Sequence, residues 1–134
     1  ITVGGYGSAC RGLSWKWMEG LWASEPPLWD VLPVVHGPLQ TFWERDMTLI
    51  ALVGPDPLSG RLLDRLERVL HPDRHRLIRL SATIEGALSV LEHGAALDGL
   101  MLWALNASPR DLSQWPAKGV DEPLYGLSKP LENS

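Results

Sequence analysis

Apolar and polar positions follow two clear periods between residues 47 and 105, and no steady period before them. Thr48-Leu-Ile-Ala-Leu-Val53 is a short apolar run, the pattern of a strand buried on both faces. Gly54-Pro55 breaks it. Asp56 then reads as a helix N-cap and Pro57 as the first helical residue. Leu58, Leu62, Leu63, Leu66, Val69 and Leu70 form one stripe at helical spacing, with Arg61, Asp64, Arg65, Glu67 and Arg68 on the solvated side. His71-Pro72 ends this helix, because a residue before proline is pushed out of the α region. Arg76-Leu-Ile-Arg-Leu80 predicts a second strand. Ser81 or Thr83 caps a second helix whose stripe is Ile84, Ala87, Leu88 and Leu91, with Gly94 as its C-terminal cap. Leu100-Met-Leu-Trp-Ala-Leu105 carries no charge and predicts a third strand.

The expected order is strand, helix, strand, helix, strand, which predicts an α/β fold with a parallel sheet. Sites in such sheets form beyond the carboxyl ends of the strands. Here those ends are Gly54–Asp56, Ser81–Thr83 and Trp103–Asn106, so Asp56, Thr83 and Asn106 are candidates for a partner-binding surface. After Asn106 the pattern fades. Ser108-Pro109 predicts a short third helix running to Trp115, and residues 117–134 read as loop. A sheet of so few strands is incomplete and leaves an open edge, which implies marginal stability or self-association.

Residues 1–46 are unlike the rest. They hold five of the seven tryptophans (Trp15, Trp17, Trp22, Trp29 and Trp43), several prolines and the glycine-rich Gly4-Gly-Tyr-Gly7. The expected organisation is an irregular Trp/Pro/Gly-rich extension over 1–46 and an incomplete α/β domain over 47–134. Within the extension, Leu13–Trp22 predicts a short helix and Leu32–His36 a short extended piece. Exposed tryptophans also suit an aromatic docking segment. A third reading takes Met47 as the natural start, which leaves 1–46 without an evolved fold.

A chain of 134 residues suits one domain. A net charge of −4 provides no general attraction to nucleic acid or to an acidic membrane. A lone cysteine, Cys10, excludes an internal disulfide and a multi-cysteine zinc site. No uninterrupted apolar run approaches the ~20 residues that span a bilayer. The first 30 residues lack a secretory pattern, and a cytoplasmic setting is expected.

Chemistry-bearing motifs are sparse. His71-Pro-Asp-Arg-His75 has histidines four apart, but Pro72 spoils the shared helix face that metal ligation would need, and a surface turn is expected. Gly4–Gly7 does not link a strand to a helix, so it fails the context of a phosphate-cradling loop. No local motif marks a catalytic nucleophile. The expectation is a protein that is no enzyme, with no catalytic residue, metal or cofactor. The alternative is a small α/β enzyme or nucleotide-binding domain with its site at the strand ends.

Several blocks carry a family resemblance. They are Ile50-Ala51, Val69-Leu70 with Asp73-Arg74 and Leu77, and Asp98-Gly-Leu-Met-Leu102. Ala104-Leu-Asn-Ala-Ser-Pro-Arg110, with Leu112 and Gln114, extends them. Residues 48–112 resemble the N-terminal pseudo-receiver domain of the KaiA family of cyanobacterial circadian clock proteins. The resemblance implies a receiver-like, flavodoxin-like sheet that is not phosphorylated. It implies a regulatory input and protein-interaction role among clock or signalling partners. In the family a separate helical domain binds the clock ATPase KaiC and promotes its phosphorylation; that domain has no counterpart in this sequence. On this reading Trp103 stands where a receiver has its phosphoacceptor aspartate, and Gly54 and Pro55 stand at the acid-pair positions. Leu127-Ser-Lys-Pro-Leu131 resembles a receiver's lysine-proline turn, but it follows Trp103 too soon.

Overall fold

The computed structural model describes residues 1–2 and 7–120. Among these the elements run α1 (Gly7–Leu21), α2 (Val31–Val34), α3 (Pro38–Phe42), β1 (Met47–Val53), α4 (Pro57–Val69), β2 (His75–Ser81), a 3-10 turn (Gly86–Leu88) and α5 (Ser89–Ala107). The architecture is mixed α/β around a two-stranded parallel sheet. Its register pairs Met47 with His75 and Val53 with Ser81.

β1 and α4 form where the pattern predicts. Asp56 is the N-cap of α4, accepting from Ser59 N–H at 2.9 Å, and Pro57 opens the helix. The buried face of α4 is Ser59, Leu63, Leu66 and, at its end, Leu70; Leu58 and Val69 of the expected stripe are exposed. Leu49, Ala51 and Val53 meet Leu63, Leu66 and Leu70 in one core. β2 is the more charged strand. Arg79 pairs with Asp64 at 2.7 Å and with Glu67, tying β2 to the surface of α4.

Residues 1–2 and 7–46 are built into this fold and do not form an irregular extension. Ile1, Val31, Val34 and Phe42 belong to the same buried core. Residues 1–2 lie parallel beside β1: Leu52 N–H donates to Ile1 O at 2.8 Å, and Thr2 bridges both Leu52 and Asp30. β1 is therefore paired on both edges, which suits its uncharged sequence. The Leu32–His36 piece expected to be extended is the short helix α2. Asp30 caps it through Leu32 N–H at 3.2 Å, and Pro33 is tolerated within the first turn, where its missing N–H has no helical partner. α1 is longer than expected and ends at Leu21, just before Trp22, whose φ of 50° is left-handed. Arg110 donates to Leu21 O and lies 5.5 Å from the Trp22 ring centroid, so it satisfies a terminal carbonyl of α1.

The expected third strand is helix. Leu100–Leu105 is the C-terminal part of α5, a helix of 19 residues. Gly94 does not end it: it is buried in the helix interior, where a Cβ would meet Leu13 Cδ2 at 3.5 Å. α1 and α5 run side by side and in the same direction. Leu13 meets Gly94, Lys16 pairs with Asp98 at 3.0 Å, and Met101 packs on Gly20. The expected short helix after Ser108 is a series of turns. Among the described residues one helical stretch, Gly86–Ala107, is long and apolar enough to cross a membrane.

Candidate functional site

The carboxyl ends of β1 and β2 are the place a parallel sheet offers to a ligand. The Val53 carbonyl there accepts from Ala82 N–H at 2.9 Å and lies 3.2 Å from His93 Nε2. His93 is 1% exposed. A carbonyl can only accept, so Nε2 carries the ring proton and pins the start of α5 to the end of β1. Nδ1 has no partner among the described residues. Beside it, the Glu92 carboxylate accepts from Thr83 N–H and Thr83 Oγ1, each at 2.6 Å, and from Ile84 N–H at 2.7 Å. These bonds, that from Ile84 foremost, hold Glu92 below the usual carboxylate range. The hydroxyl of Ser59 does the same for Asp56, with help from Ser59 N–H.

The residues singled out from sequence do not converge. Gly54 is buried and Pro55 exposed in the β1–α4 loop, and Asp56 is occupied in capping. Thr83 is held by Glu92. Trp103 and Asn106 are not at a strand end; both are exposed residues of α5. At 1.5 Å rise per residue they lie roughly 16 and 21 Å along the helix from Glu92. The receiver-type arrangement of acceptor and acid pair is therefore not assembled. The Leu127–Leu131 turn lies outside the described residues.

A second pair of histidines does structural work. His75 Nδ1 accepts from His71 N–H at 3.0 Å, so Nε2 carries the proton and donates to Phe42 O at 3.1 Å. Trp43 stands edge-on to both rings, 5.4 Å from His71 and 5.7 Å from His75. The cluster fastens α3 to the start of β2. Among the described residues no three His, Cys, Asp or Glu side chains group to hold a metal.

An apolar concavity lies on the other face of the sheet. Thr48, Ile50 and Leu52 of β1 and Ile78 of β2 form its floor, and α1 and α5 form its walls. Its volume is about 390 Å³, within the range of small-molecule pockets. No charged side chain lines it, and Trp17, Trp29 and Trp103 contribute rings. Cys10 lies in its wall, with burial pushing the thiol above its ordinary value. Sequence reasoning missed this site. Its signal was the pair of Trp17 and Trp29 in the first 46 residues, which cannot be placed against Ile50 and Ile78 without the tertiary fold. No protein-family model, curated protein or solved structure matches the chain.

Proposed function

We propose that this chain is a non-phosphorylated binding module whose contact site is the apolar cavity and its tryptophan rim. The observation that carries the reading is the lining of that cavity, which combines three tryptophans with mostly aliphatic residues and has no charged side chain. Such a surface takes apolar groups of a partner and offers nothing to a phosphate.

The pseudo-receiver role in clock input is the specific form of this proposal. Its support is the resemblance over residues 48–112, together with the parallel β1–α4–β2 unit and the Asp56-Pro57 helix start. The family's action on KaiC belongs to its helical domain, so the proposal for this chain is limited to regulatory protein binding. The alternative, a phosphate- or nucleotide-binding enzyme, is less favoured because the amides of Thr83 and Ile84 at the strand end already hold the Glu92 carboxylate, which would repel an anion.

The test has two arms on the full chain. N-phenyl-1-naphthylamine, a neutral apolar fluorophore, is expected to bind saturably, and Leu100→Gln in the cavity wall is expected to weaken that binding at least tenfold. Acetyl phosphate with Mg²⁺ is expected to leave the intact mass and the amide exchange unchanged. Absence of saturable binding would remove the cavity from the proposal. A stable phosphoryl adduct would remove its non-phosphorylated character.

A further inference from the structure

We propose that the cavity between the sheet and helices α1 and α5 takes a small, neutral, flat aromatic molecule of two or three fused rings carrying one hydroxyl, which Ser14 and Cys10 hold. This rests on the cavity being the module's binding site and names the chemistry of what enters it. The cavity has a deep end and a mouth. Cys10 and Leu52 of its lining are 2 and 4% exposed, whereas Trp103 at the rim is 68% exposed.

The deep end is polar at one place. Cys10, Leu13, Ser14 and Trp17 line the cavity from one face of α1. Ser14 is 8% exposed. Its hydroxyl donates to Arg11 O at 2.7 Å, which uses the proton and leaves the lone pairs as acceptors. The Cys10 thiol makes no hydrogen bond among the described residues. Burial pushes it above its ordinary value, so the sulfur keeps its proton and is a weak donor. Side chains four apart on a helix are about 5–6 Å apart at Cβ. A single hydroxyl set between these two donates to Ser14 Oγ and accepts from the Cys10 S–H. A few convergent polar groups in an apolar wall are what orient a ligand in such a pocket.

Size and charge narrow the occupant further. At about 390 Å³ the cavity is roughly two to three times the volume that holds one benzene ring. A tyrosine ring from a protein partner brings the right hydroxyl but leaves much of that space without contacts, which forfeits dispersion energy. Two or three fused rings fill it. Trp17, Trp29 and Trp103 supply aromatic surface against which flat rings pack. With no charged side chain in the lining, an anionic or cationic ligand would lose its hydration and gain no counter-charge.

Isothermal titration calorimetry of the full chain with 2-naphthol, naphthalene, 2-naphthoate and N-acetyltyrosinamide tests this. 2-Naphthol is expected to bind roughly three- to tenfold more tightly than naphthalene, the contribution of a buried hydrogen bond, although naphthalene is the more apolar of the two. 2-Naphthoate and N-acetyltyrosinamide are expected to bind at least about tenfold more weakly than 2-naphthol. Ser14→Ala is expected to abolish the preference for 2-naphthol over naphthalene. Alkylation of Cys10, the chain's one thiol, by N-ethylmaleimide is expected to slow as 2-naphthol saturates, read by intact mass. A chain that binds N-phenyl-1-naphthylamine but favours naphthalene over 2-naphthol overturns this proposal and leaves the cavity as a binding site. So does a preference for 2-naphthol that survives Ser14→Ala, or tighter binding of N-acetyltyrosinamide, which would give the site to a protein side chain. Binding of none of these probes, the fluorophore included, overturns both proposals.

Discussion

Glu92 on α5 closes the loop after β2 by accepting both the N–H and the hydroxyl of Thr83, at 2.6 Å each. The bonds favour the ionised carboxylate, so its folded value lies below the ordinary 4.5. The sign follows: the contribution to stability is fully present above 4.5 and is lost as pH falls through the lower folded value. Amide exchange at Thr83 and Ile84 is expected to rise only in acid below that point. Glu92→Ala is expected to show the same local loss of protection at neutral pH. Unchanged protection at both amides in that variant would mean that the loop is held by other contacts.

His93→Ala removes a buried ring and the second donor to the Val53 carbonyl. The expected cost is about 2–4 kcal/mol, from the cavity and the lost hydrogen bond. Leu63→Ala, at a residue with no exposed surface, is expected to cost about 2–5 kcal/mol. Trp103→Ala, at a residue that is mostly exposed, is expected to change stability by less than ~0.5 kcal/mol. Urea unfolding of the three variants checks the ranking. A Trp103→Ala cost comparable to that of Leu63→Ala would show the tryptophan to be core rather than rim.

Trp22 holds a left-handed backbone conformation that glycine adopts without strain. Trp22→Gly relieves that strain and loses the contact with Arg110. Trp22→Ala loses the contact and keeps the strain. The glycine variant is therefore expected to be the more stable of the two by about 1 kcal/mol. Thermal denaturation of the pair measures the difference, and an alanine variant as stable as the glycine one would argue against strain at this position.

Asp56→Ala removes the cap of α4 and is expected to lower Tm by roughly 2–8 °C. Asp56→Asn keeps an acceptor for Ser59 N–H and is expected to lose much less. Equal losses would assign the effect to charge rather than to capping.

The sequence by itself determined the β1–α4–β2 unit. Each part carries a local signal that tertiary contacts do not reverse: an uncharged β-branched and aliphatic run, an Asp-Pro helix start, a leucine stripe and a His-Pro stop. Two decisions lay outside local pattern. Leu100–Leu105 has no period that separates a buried strand from a helix, and only continuity with Ser89–Gly99, packed along α1 at Leu13 and Gly20, made it helix. That single outcome moved Trp103 from a strand end to a helix surface and dissolved the expected site.

The first 46 residues show no steady period because their buried side chains, Ile1, Cys10, Val31, Val34 and Phe42, come from separate short segments. Ile1, Val31, Val34 and Phe42 join a core shared with β1 and α4, and Cys10 lines the cavity. Burial of that kind is long-range and leaves no spacing to read. The tertiary structure alone decided that these residues complete the sheet edge, and that Trp17 and Trp29 meet Ile78 and Trp103 around one cavity. Hydrophobic burial depends on which surfaces meet in space, and a linear pattern records only which face of each element is apolar.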